Sequence, residues 1–270
     1  MPELPEVETT CRGIKPHILN KIIVNVVIRQ AKLRWPIPDE LPSLLKNQQI
    51  INVERRAKYI LIHTSHGTLL IHLGMSGSLR VVSSTADNGK HDHFDVDCGD
   101  VVLRYHDPRR FGCVLWFDHE PNEHFLLSKL GPEPFDTIMT GNYLYQLSRQ
   151  RQCSIKSFIM NSHNIVGVGN IYASEALFMA GINPNRKACR LSKTSHDKLI
   201  KAIQTVLTQA IQQGGTTLRD FVNDQGKPGY FKQSLQVYGR NDLECHQCGD
   251  AIKMIKQHQR ATYYCTNCQK

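Results

Sequence analysis

KYILIHTSHGTLLIHLGMSGSLRVV, residues 58–82, is the stretch that decides the fold class. It contains three short runs rich in Ile, Leu and Val, which Ser, His and Gly separate. Short apolar runs between turn-forming residues are typical of strands that tight turns connect. The segment therefore predicts three successive antiparallel strands over KYILIH, TLLIHL and SLRVV.

Strand-like patterns continue on both sides of this segment. Ile22, Val24, Val26 and Ile28 alternate with other residues before it, and HFDVD, VVLRYH and CVLWF follow it as far as Phe117. Several short strands at regular spacing predict an antiparallel β-sandwich or barrel. Pro and Gly then cluster in LGPEPFD, residues 130–136, which is a candidate domain boundary.

The pattern becomes helical from about Gly141 onwards. SIKSFIM, GNIYASEALFMAG and the stretch from Ser195 to Gln213 are helix candidates, each bordered by Gly, Asn or Pro. A β domain followed by a helical domain places the chain in a multi-domain α+β class.

The chain's first ten residues, MPELPEVETT, predict a helix start. Proline is tolerated in a first helical turn, where the amide hydrogens have no intrahelical acceptor, and glutamates there suit the positive end of the helix dipole. The apolar residues Leu4, Val7, Cys11, Ile14 and Ile18 form one stripe of an amphipathic helix. A surface helix docked on a core accounts for this pattern without any catalytic role.

Four of the nine cysteines form a metal-binding pattern at the end of the chain. Cys245, Cys248, Cys265 and Cys268 give two C-x2-C pairs that 16 residues separate, which fits a tetrahedral zinc site. Four thiolates leave no open position, so one structural zinc is expected, and it would supply the folding energy of a small module. The other cysteines are scattered and indicate reduced thiols: Cys11, Cys98, Cys113, Cys153 and Cys189.

Composition favours a DNA- or RNA-binding protein. The 270 residues include 33 Lys and Arg against 24 Asp and Glu, a formal net charge of +9 that favours a polyanionic partner. No apolar run approaches a membrane span, and the acidic start is unlike a signal peptide, so a cytoplasmic location is expected. Nothing in the sequence indicates an oligomeric interface, and a monomer is the default expectation.

The motifs taken together, in order, resemble the formamidopyrimidine-DNA glycosylase family. They are MPELPEVETT, RRAKYILIH, HLGMSGSLR, KHDHFDV, YHDPRRFG, GVGNIYASEALFMAGINP, GGTTLRDF and QRATYYCTNCQK. The resemblance runs from Pro2 to Lys270 and implies a base-excision repair enzyme. Such an enzyme excises oxidised purines (formamidopyrimidines and 8-oxoguanine) from double-stranded DNA and then nicks the abasic strand by β,δ-elimination.

The resemblance also implies an architecture. Residues 1–130 form an N-terminal helix with a catalytic β-sandwich, 131–150 a linker, and 151–235 a helix–two-turn–helix domain with a lesion-recognition loop. Residues 236–270 form a zinc finger. The loop TTLRDFVNDQGKPGYF resembles the segment that closes over the extruded base, with Thr216, Thr217 and Tyr230 as candidate donors.

Chemistry gives the N-terminal decamer a catalytic interpretation. Removal of Met1 would expose the secondary amine of Pro2, which can attack the anomeric carbon, displace the base and form an iminium. We expect the helix dipole to lower the pKa of this amine. By resemblance, Glu3 is the general acid/base, and Glu6 helps to orient the site.

Two cations match the elimination steps of the family. Lys58 is expected on a strand, with Ile60 and Ile62 on the same face. It matches the family's proton donor in β-elimination, which also contacts a phosphate. The alternative is a surface lysine on a strand, without a catalytic role. Arg260 matches the finger-tip arginine that binds phosphates and assists δ-elimination. Gln259 stands where the family usually has Gly, so the backbone of this hairpin tip is expected to differ.

Base extrusion requires side chains that fill the vacated space. Met75, Arg109 and Phe111 match these void-filling residues, although core packing is an alternative for Met75 and Phe111. Further DNA contacts are expected from His91, Arg110, Arg151 and Asn170. One departure from the family lies near the glycine turn, where Asn161 and Ser162 replace the usual Asp-Gln.

Two other functions remain open at this stage. The sister family, endonuclease VIII, uses the same nucleophile but prefers oxidised pyrimidines, and it typically has Gly where this chain has Leu4. A non-catalytic, zinc-containing DNA-binding protein would keep the charge and the fold; Pro2, Glu3 and Lys58 argue against it.

Overall fold

The computed structural model describes residues 2–215 and 235–270. The predicted lesion-recognition loop, with Thr216, Thr217 and Tyr230, lies outside the described residues. The chain divides into two compact units, one of residues 1–128 with 213–232 and the other of residues 129–212 with 233–270.

The first unit is an antiparallel β-sandwich preceded by a helix, as the sequence predicts. Its sheets have the strand orders β1-β6-β7-β5 and β2-β3-β4-β8, and every pairing is antiparallel. The strands are β1 Asn25–Ile28, β2 Ile50–Arg56, β3 Tyr59–Thr64, β4 Thr68–His72, β5 Ser78–Ser83, β6 Asp92–Asp97, β7 Val101–His106 and β8 Cys113–Phe117. The sequence pattern did not reveal β2 or the short helix α2, Leu41–Leu45.

Helix α1, Leu4–Ile18, packs its apolar stripe on the sandwich core. All five stripe residues are at most 5% exposed, which confirms the amphipathic helix. Burying each large aliphatic side chain contributes roughly 1.5–3 kcal/mol, so this face holds the chain's first residues firmly against the sheets.

Lys58 lies in a turn and not on a strand, so the strand assignment for this residue was wrong. Strand pairing brings Arg56 opposite Tyr59, which leaves Ala57 and Lys58 as a two-residue hairpin turn. Ala57 has φ of 55°, a left-handed conformation that Gly or Asn adopts more easily. Because the sequence lacks these usual turn residues, its pattern predicts one continuous strand where the structure has a turn.

The second unit combines helices with a C-terminal hairpin. The helices are α3 Gly141–Ser148, α4 Ile155–Ile159, α5 Asn170–Met179 and α6 Lys193–Gln212. The hairpin pairs β9, Lys253–Gln257, with β10, Arg260–Tyr264. Phe178 of α5 shares a small core with Val237, Cys245, Ile252 and Cys265, so the cysteine-bearing module packs on this helix.

Candidate active site and nucleic-acid interface

Pro2 directly precedes the helix start, where carboxylates are buried. Glu3 is the N-cap of α1, and the Glu6 carboxylate accepts a hydrogen bond from the Glu3 backbone N–H at 2.8 Å. Glu3 is 1% and Glu6 2% exposed, and Pro2 is buried. The helix dipole acts to lower the pKa of an amine at this position, whereas a buried carboxylate acts to raise it. The lowered pKa expected for the Pro2 amine stays a prediction.

Gly215 packs directly against Glu6. It has φ of +83°, and a Cβ built there would lie 3.0 Å from Glu6 Oε1 and 3.1 Å from its Cγ. Glycine is therefore required both by the backbone conformation and by this close approach. A larger residue at position 215 would therefore crowd the Glu6 side chain, whose carboxylate accepts from the Glu3 N–H.

The turn that carries Lys58 is held against helix α1 by an arginine. Arg55 donates to Glu8 Oε2 at 3.0 Å and to the Ala57 carbonyl at 2.9 Å. Burial acts to raise the pKa of Glu8, but hydrogen bonds from Arg12 and Arg55 hold that pKa below its ordinary value. A charged Glu8 thus fixes the hairpin turn of Lys58 to the helix that begins after Pro2.

His72, which was not predicted from the sequence as a site residue, lies near Lys58. Its Nδ1 accepts a hydrogen bond from the Gly74 N–H at 3.0 Å, which leaves the ring proton of the neutral tautomer on Nε2. Burial lowers the pKa of His72 to about 4, and the positive charges of Lys58 and Arg34 contribute. His72 is therefore neutral at physiological pH, with its ring proton on Nε2.

This pKa shift predicts how acid affects stability. Because the folded-state pKa of about 4 lies below the ordinary 6.5, the unfolded chain binds more protons between these values. Stability therefore falls as pH drops through this window, by no more than about 1.4 kcal/mol per pH unit for one proton. Denaturant unfolding of His72→Asn at pH 7 to 4 should give a shallower loss than the parent chain. An unchanged slope for His72→Asn would contradict the shift.

The three predicted void-filling residues lie in two loops of the sandwich and are exposed. Met75, in the β4–β5 loop, is 39% exposed, and Phe111, in the β7–β8 loop, is 46% exposed. The guanidinium of Arg109 lies 4.8 Å from the centre of the Phe111 ring. The core-packing alternative for Met75 and Phe111 is therefore wrong, and both side chains are available to a ligand.

Cations and a histidine surround these loops. Arg109 and Arg110 line a recess of about 330 Å³ together with Gln30, Lys32 and Leu33. His91 is half-buried, and its ring lies 5.9 Å from that of His106, which in turn contacts Asp92 Oδ1 at 2.8 Å. A recess lined by these cations suits phosphates, whereas the DNA contacts expected from His91 and Arg110 stay predictions.

Arg260 is exposed at the first residue of β10, beside the hairpin turn His258-Gln259. The two turn residues have φ of 44° and 64°, as in a type I′ turn. Gln259 therefore adopts a left-handed conformation that Gly takes more easily, at a cost of roughly 1–2 kcal/mol, and the difference expected from the family's hairpin tip stays a prediction. Arg260 also lines a cavity of about 240 Å³ with Lys156 and Asn161.

Lys156, a second residue that was not predicted from the sequence, ties this hairpin to helix α5. Its buried amine donates to Asn170 Oδ1 at 2.6 Å, Thr262 Oγ1 at 2.7 Å and the Ala261 carbonyl at 3.1 Å. The Asn170 amide also donates to the Ala261 carbonyl at 2.9 Å. These hydrogen bonds fix the start of helix α5 at Asn170 to the strand that carries Arg260. Arg151, another predicted DNA contact, is exposed and lies before α4.

The four C-terminal cysteines fit a structural zinc. Their sulfur atoms all lie within 4.8 Å of one another, with Cys245 and Cys268 3.8 Å and Cys248 and Cys265 3.5 Å apart. A tetrahedral zinc with ordinary Zn–S bonds would separate its sulfurs by roughly 3.8 Å. The donor set and the spacing therefore suit one zinc ion.

Family models match along most of the chain. The formamidopyrimidine-DNA glycosylase N-terminal domain matches residues 1–114, the H2TH domain of the same enzymes residues 130–222, and a zinc finger found in FPG and IleRS residues 242–270. Within residues 2–215 and 235–270, no helix is long and apolar enough to span a membrane.

Known proteins are similar over the full length. A formamidopyrimidine-DNA glycosylase of Methylococcus capsulatus is 54% identical over 271 residues, covering 100% of both chains. A mutant Lactococcus lactis FPG in complex with Fapy-dG containing DNA has a TM-score of 0.91, 31% identity and 100% coverage of both chains. The Lactococcus lactis Fpg with abasic site containing DNA has a TM-score of 0.90, 30% identity and 100% coverage of both chains.

Proposed function

The chain belongs to the formamidopyrimidine-DNA glycosylase family, and we propose on this basis how its residues carry out the reaction. It is a DNA glycosylase with abasic-site lyase activity, which acts on oxidised purines in base-excision repair. Its partner is DNA that contains an oxidised purine or an abasic site. We place the reaction in the cytoplasm, where bacterial DNA is repaired.

We propose that Pro2, once Met1 is removed, is the nucleophile. Its amine nitrogen bonds to the anomeric carbon as the glycosidic bond breaks, and the departing purine takes a proton from Glu3. Glu3 takes the proton of the bound amine and returns it to the ring oxygen, so the sugar ring opens as a hydroxyl and an iminium forms between Pro2 and deoxyribose. The observation that carries this proposal is the buried Glu3–Glu6 pair at the start of the helix that follows Pro2.

The strand is then cleaved in two eliminations. Loss of a proton from the carbon next to the iminium expels the 3′ phosphate, and a second elimination expels the 5′ phosphate. We assign Lys58 to proton transfer and phosphate binding in the first step, and Arg260 to phosphate binding in the second. Both steps build negative charge on a leaving phosphate, which a positioned cation stabilises.

Other residues, which take no part in bond breaking, bind the DNA and fill the space that the extruded base leaves. Met75, Arg109 and Phe111 fill the gap that the extruded base leaves, while His91, Arg110, Arg151 and Asn170 contact the DNA backbone. The zinc supplies no chemistry, because Cys245, Cys248, Cys265 and Cys268 complete its coordination. Its role is to fold the module that carries Arg260.

One assay tests this function. Duplexes with 8-oxoguanine or an oxidised pyrimidine are incubated with the mature protein, and released base, strand nicks and borohydride-trapped adduct are measured. We expect release of 8-oxoguanine, with nicking and trapping, at a rate at least about tenfold above that of the pyrimidine. A preference for the pyrimidine would favour an endonuclease VIII-like enzyme. Binding without release or trapping would leave a non-catalytic DNA-binding protein.

A further inference from the structure

Asp107 is a completely buried carboxylate in the DPRRFG segment, and none of the steps above uses it. It follows strand β7 and is 0% exposed. Its Oδ1 accepts from Ser76 Oγ at 3.1 Å and from the Arg109 backbone N–H at 3.3 Å. Its Oδ2 accepts from the Gly112 N–H at 2.9 Å and lies 3.1 Å from the Tyr105 hydroxyl.

Three of these donors belong to the two loops that carry the exposed, predicted void-filling side chains, and the fourth, Tyr105, belongs to strand β7. Ser76 is next to Met75 in the β4–β5 loop, while Arg109 and Gly112 border Phe111 in the β7–β8 loop. One carboxylate therefore fixes the backbone of both loops on either side of their exposed side chains. A buried carboxylate that accepts several hydrogen bonds strongly restrains the groups around it.

The surroundings leave little room for either loop to shift. A Cβ added at Gly112 would overlap the Tyr105 hydroxyl and the His72 carbonyl. Burial raises the pKa of Tyr105 well above its ordinary value, and the neighbouring Asp107 carboxylate adds to this effect. The Tyr105 hydroxyl therefore stays protonated and remains a donor.

The backbone of Asp107 reaches a third element of the interface. Its N–H donates to the His91 carbonyl at 3.0 Å, and its carbonyl lies 2.9 Å from His93 Nε2. Asp107 thus also restrains His91, a predicted DNA contact that directly precedes β6.

We propose that Asp107 is a positioning residue for base extrusion: it holds the loops of Met75, Arg109 and Phe111 in one fixed arrangement, so that the three side chains enter the duplex together. The inference rests on the void-filling role proposed above. Asp107 takes no part in the chemistry at the sugar. Its loss should therefore impair removal of a stacked base much more than cleavage at a site that has no base to extrude, because extrusion requires unstacking and unpairing.

Asp107→Asn tests this inference. The asparagine side chain has nearly the same shape as aspartate, but one acceptor oxygen becomes an NH2 group, which faces a donor and cannot accept its hydrogen bond. Three quantities are measured: single-turnover release of 8-oxoguanine from duplex DNA, cleavage of a duplex with a preformed abasic site, and the fluorescence of 2-aminopurine placed opposite the lesion. We expect base release to fall at least about 30-fold and abasic-site cleavage to change less than about threefold. The 2-aminopurine signal of void filling should weaken in parallel with base release.

A matched control separates positioning from general stability. Asp95, 3% exposed on β6, pairs with Arg104 at 2.9 Å and with Arg29 at 2.6 Å, away from both loops. Asp95→Asn should lower the thermal midpoint without changing the ratio of base release to abasic-site cleavage. If Asp107→Asn lowers both activities equally, or neither of them, the inference is wrong.

A second variant, Phe111→Ala, shows whether a negative result contradicts only the role of Asp107 or also the proposed void-filling function. If Phe111→Ala impairs base release and Asp107→Asn does not, void filling stands and the role of Asp107 falls. If Phe111→Ala has no effect either, the void-filling assignment itself is wrong, and the inference falls with it.

Discussion

Protein that retains Met1 ahead of Pro2 is expected to release no measurable 8-oxoguanine and to form no borohydride-trapped adduct with DNA. The Pro2 nitrogen would then be part of a peptide bond, its lone pair delocalised into the carbonyl, so it cannot attack the sugar. Loss of an essential nucleophile costs roughly 10⁴-fold or more in single-turnover rate. The measurement compares preparations whose N-termini have been verified by mass, on the same duplex.

Two controls make this result specific to the amine. Binding to a duplex with a stable abasic analogue should stay within a few-fold, because the predicted DNA contacts do not involve the Pro2 nitrogen. Glu3→Gln, with the Pro2 amine exposed, should lower base release by about 10²–10⁴-fold, the ordinary contribution of a general acid/base. Full base release by the chain that retains Met1 would eliminate Pro2 as the nucleophile.

Local sequence pattern was sufficient for most of the sandwich. TLLIHL and CVLWF became β4 and β8 because apolar runs of this length cannot be left in water and have no helical period. The pattern failed at β2, Ile50–Arg56, whose half-polar residues do not stand out against the loops around it. Helix α2, Leu41–Leu45, is only five residues long, too short to show a period.

The position of Lys58 shows why turns are harder to predict than strands. RRAKYI contains none of the residues that ordinarily mark a hairpin turn, yet Ala57 adopts a positive φ of 55° there. Pairing of β2 with β3 and the hydrogen bond from Arg55 to the Ala57 carbonyl impose that conformation. Backbone pairing within the hairpin, which the pattern of apolar residues does not show, decided the outcome.

Several site residues could not have been found from local pattern, because their partners are distant in sequence. Lys156 bonds to Thr262, 106 positions away, and Asp107 bonds to Ser76, 31 positions away. His72 reads as the end of a strand, and only burial beside Lys58 and Arg34 gives it a lowered pKa. Motif resemblance predicts which groups contact the substrate, whereas the hydrogen-bond partners that surround those groups are found only in the fold.

Loss of zinc is expected to impair the second elimination strongly while the β-sandwich stays folded. Cys248→Ser removes an exposed ligand of the cluster, and a serine hydroxyl does not ionise to replace the thiolate. Zinc binding supplies about 10–16 kcal/mol to a module of this size, more than its small core around Ile252 and Phe178 can replace. The hairpin that carries Arg260 should therefore unfold, and expulsion of the 5′ phosphate should fall at least about 100-fold, as for loss of a cation at a leaving phosphate.

The measurements are zinc content, strand cleavage and the salt dependence of DNA binding. Cys248→Ser should lose the metal, and its binding should depend less steeply on salt, by roughly 0.9 in log–log slope for each phosphate that the protein no longer binds. Arg260→Ala should keep the metal and show reduced cleavage, with the slope change expected for about one phosphate. Cys153→Ser, at an exposed cysteine outside the cluster, is the matched control and should keep both metal and activity. If Cys248→Ser lost its zinc but cleaved DNA normally, neither the metal nor the position of Arg260 would matter for the elimination steps.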